Sequence, residues 1–166
     1  AYLTKDDLSA PPTGNHVYGT NDRCTTCNLA KTVSAGMVYT RNSGESFATL
    51  TSFGSCTDTE VIIPQLPKNS SYIVKKIGAN VFNASNYSSS TRQYIDAVTK
   101  VVIPASIESI GERAFYRMAN LNTVIIEGDN VVIGKEAFYN CPNLTTVIIK
   151  GQNVEIGEKA FYECPL

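Results

Sequence analysis

Short apolar motifs recur along the second half of this chain at a constant step of 23 residues. Ile-Gly occurs at 110–111, 133–134 and 156–157, and Ala-Phe keeps the same step at 114–115, 137–138 and 160–161. β-Branched triplets begin at Val101, Val124 and Val147, again one step apart. A constant period in the range of about 20 to 50 residues is typical of stacked supersecondary units rather than of one closed core. The sequence therefore predicts a repeat array, an architecture that commonly presents a surface to a partner.

Each regular unit combines a short strand with a return segment. In the unit that begins at Leu144, the spacing of Leu144, Val147 and Ile149 predicts a strand with these side chains directed inward. Stacking such strands gives a parallel ladder with a spacing of about 4.8 Å, and short helical or irregular returns connect one strand to the next. We expect Gly157 to form a tight turn, because glycine adopts positive φ at low cost. The remaining core positions of this unit are Val154, Ile156, Ala160, Phe161 and Cys164.

Three segments differ in composition. Residues 1–36 are rich in Pro, Thr, Asn and Gly and are predicted to be a loop-rich segment. Residues 37–166 are predicted to form the repeat domain, in which 37–55 make a β-hairpin cap and 56–166 make about four repeats. The first repeat carries insertions, and the one at 83–93 is so polar that we expect a mobile loop there.

The last unit stops at Leu166, before its next strand, and no polar repeat closes it. An uncapped coil exposes core side chains and strand edges. We therefore expect the sequence to allow an end-to-end dimer through the C-terminal repeat.

Charge and composition exclude several classes of function. The net charge of −1 provides no attraction to nucleic acid or to an anionic membrane. Apolar runs are only a few residues long, so no membrane span is expected in this segment. The single histidine, His16, restricts any Ser-His or Cys-His chemistry to the loop-rich segment. We expect no catalytic residues and no cofactor.

The five cysteines fall into two groups. Cys141 and Cys164 lie one period apart, with Met118 one period earlier and Cys56 in nearly the same register, which indicates apolar core thiols. Cys24 and Cys27 form a CxxC, and four explanations remain open for it. The pair could form a local disulfide, remain as free thiols, provide half of a zinc site with His16 as a third ligand, or serve redox chemistry.

The predicted ladder also has an outward face. If Val147 and Ile149 point inward, the residues between and beside them point outward. Stepping by one period then gives an outward apolar column, formed by Ile62, Val102, Ile125 and Ile148. The polar residues beside it that complete our candidate binding site are Thr123, Glu127, Thr146 and Lys150. An apolar patch of this kind often marks an interface, although β-branched residues also simply suit strands.

A second outward column is aromatic. Tyr116, Tyr139 and Tyr162 each follow a core phenylalanine at the same step. Stacking between neighbouring coils explains this column without a ligand, and a sugar-binding platform is the alternative.

The repeated unit resembles the BspA-type leucine-rich repeat. The resemblance rests on Leu-x-x-Val-x-Ile at 144–149 followed by Ile-Gly-x-x-Ala-Phe-x-x-Cys at 156–164, and it covers roughly residues 56–166. Val81 in place of alanine and Met118 in place of cysteine depart from the pattern.

The resemblance implies a leucine-rich-repeat solenoid, a right-handed β/α superhelix, from a secreted or cell-surface bacterial protein. It also implies a non-catalytic role in adhesion or protein binding, with a host or matrix protein as a partner, and an extracellular or cell-surface location. Two alternatives remain. One is a structural spacer within a larger surface protein or secreted enzyme, and the other is a zinc- or redox-linked role of Cys24 and Cys27.

Overall fold

The computed structural model describes residues 33–66 and 71–166. The predictions for the loop-rich segment up to residue 32, including those for His16, Cys24 and Cys27, lie outside the described residues. In chain order the elements are β1 (Val38–Thr40), β2 (Ala48–Ser52), β3 (Glu60–Ile62), β4 (Val74–Ile77), a 3-10 turn (Ala84–Asn86), α1 (Ser89–Asp96), β5 (Lys100–Ile103), β6 (Ser109–Ile110), β7 (Thr123–Ile126), β8 (Val132–Ile133), β9 (Thr146–Ile149) and β10 (Glu155–Ile156).

The strands form two ladders. The first is a four-stranded parallel sheet in the order β3-β5-β7-β9, in which Val101 pairs with Val124 and Val124 with Val147. The second is a six-stranded sheet in the order β1-β2-β4-β6-β8-β10. Its strands are parallel from β2 to β10, and β1 pairs antiparallel with β2. The predicted parallel ladder is therefore present, but the prediction missed the second one, which the hairpin β1-β2 extends.

A column of phenylalanine rings runs through the core. Phe82, Phe115, Phe138 and Phe161 stack with centroid separations of 4.6, 4.8 and 5.0 Å, and the planes of the last two pairs differ by only 2° and 3°. Phe53, which follows β2, meets Phe82 edge-on at 5.5 Å. The hairpin thus contributes to the same core, and the rings of the last three coils are superposed with little rotation, whereas the planes of Phe82 and Phe115 differ by 20°.

The repeated glycines stand at the predicted turns but lack the predicted positive φ. The carbonyl of Gly157 accepts from the amide of Ala160 at 3.2 Å, as the first residue of a β-turn does. Gly157 is absent from the glycines with positive φ, which are Gly36, Gly44 and Gly54 in the described residues. Instead the non-glycine residues Arg113, Glu136 and Lys159 take φ of 53–55°. The glycine is needed for a close approach between coils, because a Cβ on Gly157 would lie 2.7 Å from the carbonyl oxygen of Ile133. The turn at Gly157 is therefore confirmed, but the positive φ expected of its glycine was wrong.

The last coil is less buried than predicted. Ile149 and Ile156, which the sequence places in the core, are 38% and 58% exposed. Val147, Val154, Phe161 and Cys164 are only partly buried. The equivalent residues of the preceding coil, Ile126 and Ile133, are fully buried because a neighbouring coil covers each side of them. In the described part of the chain, one side of the last coil has no such neighbour.

The insertion after Phe82 is helical, so the prediction of a loop at residues 83–93 was wrong. The 3-10 turn begins after Asn83, whose side chain accepts a hydrogen bond from the amide of Ser85 at 3.1 Å. α1 follows and buries Ile95 against the core. Tyr87 lies between the two helical elements and reaches across to the hairpin. Its hydroxyl donates to the carbonyl of Val81 at 2.6 Å and accepts from the amide of Phe53 at 2.9 Å.

We expect Tyr87→Phe to lower the free energy of unfolding by about 1–3 kcal/mol, because it removes the partner of two backbone groups in a part-buried site. Urea denaturation followed by circular dichroism measures the change. Tyr94→Phe is the matched control, since Tyr94 is 39% exposed, and we expect it to change stability by less than about 0.5 kcal/mol. Equal effects of the two substitutions would contradict a bridging role for the Tyr87 hydroxyl.

Candidate functional site

The outward residues of the four-stranded sheet form one continuous column. β3 pairs with β5, β5 with β7 and β7 with β9, and these registers place Ile62 beside Val102, Val102 beside Ile125, and Ile125 beside Ile148. No register shift interrupts the pairing in these three strand pairs. The structure therefore brings together the four apolar residues that the sequence singled out.

Exposure varies along this column. Ile148 is 44% exposed and Ile62 and Ile125 are half-buried, but Val102 is only 7% exposed. The sequence predicted that Val102 would be an exposed member, and this was wrong. Val102 lies between two isoleucines, which have longer side chains. The column is therefore accessible at Ile62, Ile125 and Ile148 and nearly closed at Val102.

Polar residues border the column on both sides. On the side of the strand starts lie Glu60, Lys100, Thr123 and Thr146, which pair with one another in register. Lys100 Nζ is 3.0 Å from Glu60 Oε2. On the side of the strand ends, Lys150 Nζ is 3.1 Å from Glu127 Oε1. Such exposed ion pairs contribute roughly 0–1 kcal/mol each to stability, but they leave each flank of the column without net charge.

The tyrosine column is organised differently. The rings of Tyr116 and Tyr139 stack at 5.4 Å, and those of Tyr139 and Tyr162 stack at 5.5 Å. The guanidinium groups of Arg113 and Arg117 lie 5.6 and 5.3 Å from the centre of the Tyr116 ring. Because the tyrosines use their faces to contact one another, mainly their edges point outward. This geometry favours the structural explanation over a sugar-stacking platform.

The described cysteines are packing groups. Cys56 and Cys141 are buried and Cys164 is partly buried, and all three are free thiols. Cys141 Sγ donates to the carbonyl of Phe115 at 3.2 Å, and Cys164 Sγ repeats this bond to Phe138 at 3.0 Å. Burial raises the pKa of Cys141 to about 12, so its thiol stays protonated and unreactive near neutral pH. The predicted core role is thus confirmed for Cys56 and Cys141.

Neither a metal cluster nor a membrane-crossing helix was found in the described residues. Within 33–66 and 71–166, no group of three or more His, Cys, Asp or Glu side chains is arranged to hold a metal ion. In the same ranges, no helix combines the length and apolar character that a bilayer crossing requires.

One edge contact near this site was not foreseen from the sequence. Ser34 donates its amide to the carbonyl of Ile62 at 2.8 Å, and its hydroxyl accepts from the amide of Ile62 at 2.9 Å. These bonds cover the edge of β3 that pairs with no other strand in the described part of the chain. Ser34 stands in no recognisable motif, so the sequence gives no signal for them.

Two stacked parallel ladders in a 23-residue register define a leucine-rich-repeat module with few helices. Comparison with protein families identifies the repeats more closely: residues 93–166 match the BspA type leucine rich repeat region. This part of the chain therefore consists of BspA-type repeats.

Among solved structures, the chain is similar to a leucine rich cell surface protein from Faecalibacterium prausnitzii A2-165. The two are 20% identical with a TM-score of 0.46, and the match covers 80% of this chain and 52% of that one. The match thus spans about half the length of that protein. No curated protein sequence matches the chain significantly.

Proposed function

We propose that this chain is a non-catalytic protein-interaction module of a secreted or cell-surface protein, with a host or matrix protein as its partner. The observation that carries the proposal is the outward column of the four-stranded sheet, in which Ile125 and Ile148 pair in register and remain accessible, half-buried and 44% exposed respectively. The BspA-type repeats support it, because repeat arrays commonly bind partners through such surfaces.

The partner has to contact more than the column. Stable interfaces bury about 1,200–2,000 Å² in total, which exceeds what a few half-buried side chains offer. Thr123 and Thr146 border the accessible half of the column and extend it with hydroxyl groups. The column also lacks the Trp, Tyr or Arg residues that dominate tight interfaces, so we expect moderate affinity.

A structural spacer is the second candidate. The near burial of Val102 and the self-paired flanking charges favour it, because they reduce the surface that a partner could use. The end-to-end dimer through the C-terminal repeat stays a prediction, which sedimentation equilibrium of the isolated chain would test.

A matched pair of variants separates binding from the spacer role. We expect Ile125→Lys combined with Ile148→Lys to weaken binding to a protein partner at least tenfold, because lysines interrupt the apolar row. The control is Val132→Lys, since Val132 is also 44% exposed but lies on β8 of the other sheet. Binding is measured by biolayer interferometry against purified matrix proteins and host cell-surface ectodomains, with denaturation midpoints as the folding check.

The results of this experiment distinguish the protein-interaction module from the structural spacer. A partner that binds the wild type and Val132→Lys equally, but not the double variant, supports the proposed function. Unchanged binding of the double variant would overturn the assignment of the surface. Absence of any partner across the panel would favour the spacer.

A further inference from the structure

We infer that the segment recognised by the four-stranded sheet is an amphipathic α-helix, lying across the strands along the column, with one apolar residue per turn. This rests on the proposed function and specifies the kind of partner. Each strand contributes one side chain to the column, so a peptide running parallel to the strands would meet a single apolar residue. A segment that contacts Ile62, Ile125 and Ile148 together has to cross the strands.

The coils that carry Val102, Ile125 and Ile148 are aligned closely enough to receive a rigid helix. The planes of Phe115 and Phe138 differ by 2° and those of Phe138 and Phe161 by 3°, whereas the planes of Phe82 and Phe115, in the coils of Ile62 and Val102, differ by 20°. Four strands at the usual spacing then place the ends of the column about 14 Å apart.

The spacing of the column favours a helix over an extended chain. One helical turn rises about 5.4 Å, so three turns cover about 16 Å and remain within about 2 Å of the column over its whole length. Residues on one face of an extended chain repeat every 6.6 Å or so. Three repeats, which would place one residue on each of the four strands, cover about 20 Å and exceed the length of the column by more than one strand spacing. Positions i, i+4, i+7 and i+11 of a helix can therefore follow the four apolar residues in turn.

The charged residues that flank the column indicate which residues the helix carries beside its apolar ones. Glu60 and Lys100 neutralise each other on one flank, and Glu127 and Lys150 do so on the other. A charged helix would gain little attraction from either flank. We therefore expect small or uncharged polar residues beside the apolar ones, where they can also meet the hydroxyls of the neighbouring threonines.

Designed peptides test the inference whatever the identity of the natural partner. The probe is a 15-residue helix stapled on its polar face by one lactam between a lysine and a glutamate four residues apart, with leucines at positions 1, 5, 8 and 12 and with Ala, Gln and Ser elsewhere. Two controls have the same composition: a stapled helix with its leucines distributed around all faces, and an unstapled peptide with leucines at every second position. Affinity is measured by fluorescence anisotropy, and the contact is mapped by methyl NMR of the isoleucines and valines.

We expect the amphipathic helix to bind at least tenfold more tightly than either control. It should shift the methyl signals of Ile125 and Ile148 but not those of Val132, and Ile125→Lys should weaken it at least tenfold. Equal or tighter binding of the period-two peptide would overturn the inference, as would shifts centred on Val132 or no binding of the stapled helix at 1 mM.

The inference and the proposed function can fail separately. A protein partner that needs Ile125 and Ile148 but whose crosslinked contact segment is extended would overturn the helix and leave the binding role intact. A partner whose binding is unaffected by the double lysine variant would overturn both.

Discussion

Phe138→Ala is expected to lower the free energy of unfolding by about 3–5 kcal/mol, the range found when a buried aromatic ring is removed. Phe138 is fully buried and stacks on Phe115 at 4.8 Å and on Phe161 at 5.0 Å. Its loss leaves a cavity between two rings that neighbouring coils hold in place through backbone bonds, such as that from the Phe138 amide to the carbonyl of Ala160 at 2.8 Å. Collapse of the cavity would break these bonds. Urea denaturation followed by circular dichroism measures the change.

The next residue in the chain provides the control. Tyr139 also stacks on both sides, at 5.4 and 5.5 Å, but it is half-buried on the outer surface. We expect Tyr139→Ala to lower stability by about 1–3 kcal/mol, less than Phe138→Ala, because it removes two aromatic pairs of about 0.5–1.5 kcal/mol each but no fully buried ring. If both alanine variants lost the same stability, the inner phenylalanine column would not be the main support of the stack.

Gly134→Ala is the second large effect, and we expect a loss of about 3 kcal/mol, at the upper end of the range for overpacking. A Cβ at this position would lie 2.7 Å from the carbonyl oxygen of Ile110 and 2.9 Å from the amide nitrogen of Glu112. Both obstacles are backbone atoms of the preceding coil, which can move only if the ladder opens. Thermal and urea denaturation measure the loss, and hydrogen exchange of the β8 amides locates the opening.

Gly44→Ala separates this collision from the conformational freedom of glycine. Gly44 has φ of +89°, and a Cβ added there would face open space, with no atom beyond its chain neighbours within 4 Å. An alanine at this position is therefore strained only by its backbone, and we expect a cost of about 1 kcal/mol. A loss for Gly134→Ala no larger than that of Gly44→Ala would show that close contact between coils is not what requires glycine.

These scaffold predictions also guide the binding experiments. Ile125 lies on the strand between Val124 and Ile126, which are fully buried in the core. A lysine at Ile125 changes the outward face and leaves the inward one intact. An unchanged denaturation midpoint is therefore the condition under which weaker binding reports on the interface.

Most of the repeat fold could be predicted because each coil repeats the same local pattern. Val101, Val124 and Val147 show the strand register directly, and the structure pairs them as expected. The second ladder was missed because its strands β6, β8 and β10 have only two residues each. Two residues are too few to show a period of two. The helix at Ser89–Asp96 was missed because its composition is polar and only Ile95 is buried.

In the candidate site, too, some features could be predicted from the sequence and others could not. Alternation along the strands predicts which side chains face outward, and the register then aligns Ile62, Val102, Ile125 and Ile148. The near burial of Val102 and the pairing of Lys100 with Glu60 could not be predicted, since both depend on side chains from neighbouring coils.

The sequence by itself determined the repeat length, the parallel strand ladder and the identity of the outward column, because these follow from local periodicity within one coil. Only the tertiary structure showed that close backbone contact between coils requires glycine at position 134. It also determined how exposed each column residue is and which charged side chains pair. Those properties arise between coils, where backbones approach within van der Waals contact and each side chain is covered by its neighbours on either side.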